Sequence, residues 1–113
     1  MSIFDLLHEN AVADHELLKC NDGHGDRFEA VREVDFAFET PDTKRAEDFA
    51  EFVNGKNYGR AELTSLDQDG FRILVFIEMP ITQNLIGSVS GFMVCLSRLF
   101  QIEYKGWGSV IQK

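Results

Sequence analysis

Three histidines and two cysteines are the side chains in this sequence best suited to hold a metal or act as a nucleophile. His8, His15, Cys20 and His24 crowd into its first quarter. Imidazole and thiolate bind zinc, but a structural zinc site draws its ligands as close pairs, and this spacing matches no such pattern. A solvated helix face explains the group better, so neither a metal nor a cofactor is expected. Cys95 falls on an apolar stripe, where a buried inert thiol is commoner than a nucleophile. No histidine follows position 24, so a Cys95–His pair would have to be assembled by the fold. Carboxylates are plentiful, yet none stands in a recognisable acid/base setting such as an apolar pocket. Asp35 and Glu39 come nearest, and they read as solvated residues on the polar face of a strand. The glycine-rich stretches, Asp22-Gly23-His24-Gly25 and Gly106-Trp107-Gly108, do not join a strand to a helix in the manner of a phosphate loop. No catalytic residue is assigned, and the chain is read as a non-enzyme.

Charge is more informative than chemistry. The net charge is −8, and residues 1–42 hold 11 of the 19 acids against three bases, Lys19, Arg27 and Arg32. Residues 43–113 balance eight against eight, so the whole excess lies in the first part of the chain. Such a field repels phosphate backbones and favours a basic protein partner over nucleic acid. Asp5, Glu9, Asp14 and Glu16 are the expected contributors to an acidic binding surface. Simple solubility is the competing account of the same charge. No apolar run reaches the roughly 18 residues of a membrane span, and Met1-Ser2-Ile3-Phe4-Asp5 does not open like a secretory signal. With two cysteines fitting a reducing compartment, a cytoplasmic location is expected.

The elements that must position these groups follow from periodicity. The length of 113 residues predicts one domain, residues 1–113, able to bury its own core. Ser2 to Lys19 reads as a helix with Phe4, Leu7, Ala11 and Leu18 on one stripe, ended by the run from Asn21 to Asp26. Phe28 to Glu39 alternates like a half-buried strand. Thr40-Pro41-Asp42 then opens a helix with Thr40 as its cap, and Asn54-Gly55 closes it. Tyr58–Leu66 and Phe71–Met79 flank Asp67-Gln68-Asp69-Gly70 as a hairpin. A long helix capped by Thr82 runs to Phe100, and its Gly87 and Gly91 predict close packing on a sheet. A last strand is expected over Gln101–Tyr104, with Ser109 to Gln112 as a continuation. The order α, β-α-β-β-α-β specifies an α+β, ferredoxin-like split β-α-β sandwich: a four-stranded antiparallel sheet, two crossover helices and an additional N-terminal helix. One sheet face, carrying Leu74 and Phe76, is left for the N-terminal helix or a partner to cover. That topology also serves RNA-recognition domains. Phe36, Phe38, Phe71 and Phe76 supply rings, but the flanking residues are Glu33, Asp35, Glu39 and Glu78, a composition wrong for RNA.

Tyr104-Lys105-Gly106-Trp107-Gly108 is the most distinctive local feature. Glycines on either side of the single Trp allow tight backbone geometry. Trp107 is either a plug at the end of the core or a partner-facing anchor, and the core reading is favoured.

The stretch from Asn84-Leu85-Ile86 through the long helix to Ile102-Glu103-Tyr104-Lys105-Gly106-Trp107-Gly108-Ser109 resembles the end of the regulator of ribonuclease activity B family, with its Glu-Tyr-x-Gly-Trp-Gly signature. Leu17-Leu18 before an Asp22-Gly23 turn, then a strand and a helix opening near Asp42, are similar as well. The resemblance implies a ferredoxin-like fold and a protein that binds and modulates ribonuclease E without being an enzyme. It marks Tyr104, Gly106, Trp107 and Gly108 as motif residues. Family members carry a long acidic tail after this motif, where the present sequence reads Val110-Ile111-Gln112-Lys113. The expected partner is therefore a protein, ribonuclease E or another basic one, with Asp5, Glu9, Asp14, Glu16, Tyr104 and Trp107 as candidate contacts. The alternative is an orphan ferredoxin-like domain that binds a ligand, or a homodimer formed through the open sheet face.

Overall fold

Alternation sets the centre of the sheet. In β1, Arg32–Thr40, every second side chain is buried, and Val34, Phe36 and Phe38 are wholly enclosed. The computed structural model describes all residues except Asp67 and Asp69. Its elements are α1 (Ile3–Gly23), β1, α2 (Thr43–Lys56), β2 (Arg60–Leu66), β3 (Gly70–Met79), α3 (Gln83–Phe100) and β4 (Glu103–Ser109). The strands lie in the order β2-β3-β1-β4 and each neighbouring pair is antiparallel. Two interleaved β-α-β units in one sheet make the ferredoxin-like α+β plan that the element order predicts. β2 and β3 pair as a hairpin from Leu66 opposite Gly70, although Asp67 and Asp69 of the expected turn lie outside the described residues.

The core fills the space between the sheet and the helices. Ile73 and Val75 of β3 join the β1 residues, while Ala46, Phe49 and Val53 of α2 and Ile86, Met93 and Leu96 of α3 close over them. Aromatic rings carry one end, with Phe38 on Phe49 at 4.5 Å between centroids and Phe49 edge-on to Phe100 at 5.4 Å. Tilted and edge-to-face pairs at these separations are the arrangements aromatic quadrupoles favour.

Several boundaries differ from expectation for identifiable reasons. α1 continues through Asn21 to Gly23, because the Asn21 side chain is buried and donates to Asp26 (3.2 Å). β1 begins at Arg32 instead of Phe28, since the chain turns first, with Ala30 N donating to Arg27 O. Asp42, and not Thr40, caps α2 by accepting from the amides of Lys44 and Arg45. Thr40 remains in β1, where its hydroxyl accepts from Asp42 N. α2 runs past Asn54-Gly55 to Lys56, and Asn57 ends it in the left-handed conformation. Thr82 is the first residue before α3 but makes no side-chain cap. Gly91 faces Leu7 of α1 at 3.6 Å, and Gly87 faces open space, so neither glycine brings α3 onto the sheet.

The placement of α1 decides which sheet face stays open. The helix packs on α3, within the helical layer, and leaves the opposite sheet face bare. Its contact is poor in apolar burial: of its residues only Asp14, Leu18 and Asn21 are buried. Phe4, expected on the inner stripe, is 77% exposed.

Candidate functional site

The motif strand is the element that brings distant residues together. β4 does not stop at Tyr104; it runs through the whole Tyr-x-Gly-Trp-Gly segment to Ser109. Its register against β1 pairs Phe38 with Tyr104 and Ala37 with Gly106, so Lys105 is an extra, bulged residue. Gly106 takes a φ of 110°, which side-chain-bearing residues rarely adopt, and this is the local reason for a glycine at the bulge. Beyond the bulge the pleat resumes. Tyr104 and Trp107 turn toward the helices, and Gly106 and Gly108 toward the bare face.

Trp107 is only 7% exposed, and its ring belongs to the core. A buried indole N–H needs an acceptor, and here it donates to Asp14 Oδ1 of α1 at 3.0 Å. Ser90 of α3, wholly buried, donates to the same oxygen at 3.0 Å. Asn10, one turn before Asp14, gives one amide hydrogen to Asp14 Oδ2 at 3.2 Å and lies 3.0 Å from Ser90 Oγ. Tyr104 OH is 3.0 Å from Ser90 Oγ. One assignment of hydrogens satisfies all five residues. Ser90 spends its single hydrogen on Asp14, so Tyr104 and Asn10 donate to Ser90, and every donor is used. Burial pushes the Asp14 carboxyl above its usual range, with the Ser90 and Trp107 hydrogen bonds opposing the shift. Burial likewise pushes the Tyr104 phenol up, so it stays a neutral donor.

A serine bonded to a carboxylate invites comparison with a nucleophilic dyad. The geometry argues against that use, because Ser90 is enclosed and its proton goes to a carboxylate without an intervening imidazole. His8, His15 and His24 are exposed on α1 and at its C-terminal cap. His24 Nδ1 lies 2.9 Å from the Cys20 carbonyl. Among the described residues no three His, Cys, Asp or Glu side chains stand close enough to hold a metal ion. The cluster is a clasp that fastens α1 to α3 and β4. Beside it opens a groove of about 880 Å³ between α1, the C-terminal part of α3, β4 and the start of α2. Glu9, Arg45, Arg98 and Lys105 stand among its lining residues, with Asp14 and Trp107.

The expected acidic surface is therefore divided. Glu9 and Glu16 are exposed on α1, but Asp14 is 6% exposed and belongs to the interior. Asp14 takes the stripe position between Ala11 and Leu18, which is why it faces α3 instead of solvent. Asp5 is exposed and serves as a cap, accepting from Ser2 N while Ser2 Oγ accepts from Asp5 N. Glu39 lies on the bare face and is engaged by Arg72 at 2.7 Å, which holds its carboxyl below the usual range. Asp35 lies half-buried on the same face. Burial, and then the neighbouring Glu33 charge, push its carboxyl up. Cys20 is exposed and Cys95 half-buried, both free thiols.

A family model described as regulator of ribonuclease activity B matches residues 12–109. The chain belongs to that family. The matched span begins inside α1 and ends on the last residue of β4, so Asp14, Ser90, Tyr104 and Trp107 all lie within it. No curated protein matches the chain. The regulator of ribonuclease activity B family is one of regulators, and its signature here has two sides: Tyr104 and Trp107 lock the N-terminal helix, while Gly106 and Gly108 form part of an open surface. Asp14, Ser90 and Asn10 were not singled out as a constellation by sequence. The signal for Asp14 was an acid standing at an apolar-stripe position.

Proposed function

We propose that this chain regulates a ribonuclease without catalysis, by binding a basic protein partner, ribonuclease E being the candidate that the family resemblance names. The observation that carries the reading is the uncompensated acid on the surface. Of the acids in residues 1–42, Asp26 is neutralised inside by Arg32, and Asp14 is enclosed in the clasp. Glu33, Glu39 and Asp42 borrow Arg60, Arg72 and Arg45 from later in the chain. Asp5, Glu9, Glu16, Asp22, Glu29 and Asp35 form no ion pair among the described residues. Such a field draws in cationic protein surfaces and repels RNA, the substrate that the regulated enzyme itself must hold. Among the described residues no helix is long and apolar enough to cross a membrane, and the cytoplasm, where ribonuclease and RNA meet, is the proposed site of action.

The test is a cleavage assay with purified ribonuclease E and a fluorescent RNA, titrated with this protein, alongside a gel shift of the RNA with this protein alone. The reading requires the cleavage rate to change, the change to weaken as salt is raised, and the RNA alone to remain unshifted. RNA bound by the chain itself would point to substrate sequestration instead. A second reading, self-association, is favoured by the half-buried Leu74 and Phe76 on the uncovered sheet face. A concentration-dependent shift in sedimentation would support it.

A further inference from the structure

Three local costs coincide on the bare face of the sheet. First, glutamates stand directly opposite one another on neighbouring strands, Glu33 facing Glu78 and Glu39 facing Glu103. Like charges so paired destabilise a sheet. Arg60, Arg72 and Lys105 offset part of this by binding Glu33 and Glu62, Glu39, and Glu103 respectively. Second, Asp35 at the centre of β1 is half-buried and forms no ion pair among the described residues. Its in-register neighbours are Phe76 on one side and Gly108 on the other. Third, Gly108 sits within β4 although its backbone does not demand glycine. Its φ is not among the positive ones, and a Cβ there would meet nothing closer than the Asp35 carboxylate oxygens, at 3.5 and 3.8 Å. Glycine inside a strand weakens it, and it marks places where a ligand or another backbone comes close.

A cation supplied from outside at Asp35 would neutralise that carboxylate, fill the space beside Gly108 and ease the Glu33–Glu78 repulsion two residues along the strand, while Glu39 and Glu103 keep Arg72 and Lys105. The missing side chain of Gly108 leaves a slot beside Asp35, where a Cβ would meet only the carboxylate oxygens, and an extended side chain can reach them there. Phe76 borders the slot, and its ring already carries the Arg60 guanidinium at 4.6 Å, so it is a surface on which arginine stacks. Leu74 and Ala37 supply apolar area for the methylene stems of long cationic side chains. Local rules broken together without a gain inside the fold are the signature of a functional surface.

We propose that this sheet face, centred on Asp35, is the docking surface for an arginine- or lysine-bearing segment of the partner protein. The inference rests on the regulatory reading and names the surface through which it operates. Charge favours this occupant over the others, because the carboxylates of the face outnumber Arg60, Arg72 and Lys105: a second copy would bring the same excess, and a phosphate backbone would be repelled by it.

The experiment titrates the ¹⁵N-labelled protein with a synthetic arginine-rich peptide and with its glutamate-substituted counterpart, following amide shifts. Shifts centred on Asp35, Ala37, Gly106 and Gly108 are expected with the arginine peptide alone. Asp35→Asn removes the charge, and Gly108→Val fills the slot with a strand-compatible side chain. Each is expected to weaken binding by about thirtyfold or more, the loss typical when one partner of a desolvated charge pair is removed. The thermal midpoint should not fall in Gly108→Val, which separates a blocked slot from a damaged fold. Shifts centred on α1, equal binding of the glutamate peptide, dimerisation through this face, or unaltered binding by both variants would overturn the proposal. The same variants belong in the ribonuclease assay. If wild type and both variants change cleavage equally, the docking surface lies elsewhere and the regulatory reading stands. If wild type leaves cleavage unchanged while the peptide titrates Asp35, the surface stands and the regulatory reading falls.

Discussion

Two enclosed carboxylates, Asp14 and Asp26, help fasten the N-terminal helix, and they are satisfied in opposite ways. Asp26 meets Arg32 Nη1 at 2.7 and 2.8 Å, with the Asn21 amide and the Gln112 backbone N–H adding to it. The two side chains of that ion pair are 0% and 2% exposed. Asp14 has no cation; Ser90, Trp107 and Asn10 bring neutral dipoles to it. The first site carries its compensation within it, whereas the second leaves a buried negative charge on hydrogen bonds alone. A helix with so little apolar burial depends on such polar ties, and the two should respond differently to mutation and to pH.

The largest effects should come from removing one member of each tie. Arg32→Met strands Asp26 as an uncompensated buried charge and should cost about 3–5 kcal/mol by urea denaturation. Adding Asp26→Leu should recover most of that loss, because apolar pairs of similar volume replace buried ion pairs well. Arg32 also donates to the carbonyls of Val110 and Arg27, and failure of the double variant to recover would show that these bonds and the Gln112 amide on Asp26 matter more than the charge pair. Trp107→Ala should also cost about 3–5 kcal/mol through cavity and transfer terms. An unchanged melting curve would remove Trp107 from the core and return it to the role of a partner anchor.

Trp107→Phe sharpens the comparison, since it keeps most of the ring and deletes only the donor. A hydrogen bond to a charged group contributes about 1.5–3 kcal/mol, so a smaller loss than in the alanine variant is expected. A loss equal to that of alanine would mean that the bond to Asp14, and not ring volume, carries the contribution of Trp107 to the clasp; no loss at all would mean the reverse.

The next effect is one of sign. Burial raises the Asp14 carboxyl above its ordinary 3.8, so the folded protein holds that proton more tightly than the unfolded chain does. Stability due to this group therefore rises as pH falls through the raised value and levels off below the ordinary one. The Asp14→Asn protein lacks this titration and shares the others, Asp35 included. The difference in thermal midpoint, wild type minus variant, should grow in favour of wild type on acidification. A difference that shrinks on acidification would mean that the three donors outweigh burial, and that the carboxylate form is the one the clasp favours.

What the sequence disclosed depended on how local each cause was. Val34, Phe36 and Phe38 declared β1 by period two, and the element order declared the sheet. Chain ends of elements were less legible because rival caps stand close together: Thr40 and Asp42 each accept a backbone hydrogen, but only Asp42 does so from inside α2. The sequence pattern ends β4 at Tyr104 because two glycines read as a loop, whereas a bulge lets the strand continue through them. The clasp joins residues 76 and 93 positions apart, and a single sequence does not encode which hydroxyl an aspartate will meet. The motif was visible as residues and not as two faces, since the bulge at Lys105 decides which of them point inward.

The smallest expected effect concerns the acids of α1. If the sheet face makes the contact, Asp5, Glu9 and Glu16 act on the partner only through the general field, across the thickness of the helical layer. Charges beyond a Debye length, about 8 Å at physiological salt, are largely screened. Neutralising the three with Asn and Gln should slow association modestly at low salt, and hardly at physiological salt. Exposed charges contribute little to folding, and only the Asp5 cap should register in the melting curve. Neutralising Glu47, Asp48 and Glu51 of α2 is the control, because Lys44 and Arg45 share that helix and leave it little net field. Stopped-flow association across a salt series reads both sets against Asp35→Asn. The expected order is Asp35 first, the α1 set well behind it, and the α2 set last. An α1 set that outranks Asp35 would move the contact from the sheet to the helix, and the exposed row of Glu9, Val12 and Glu16 would then be the place to look for it.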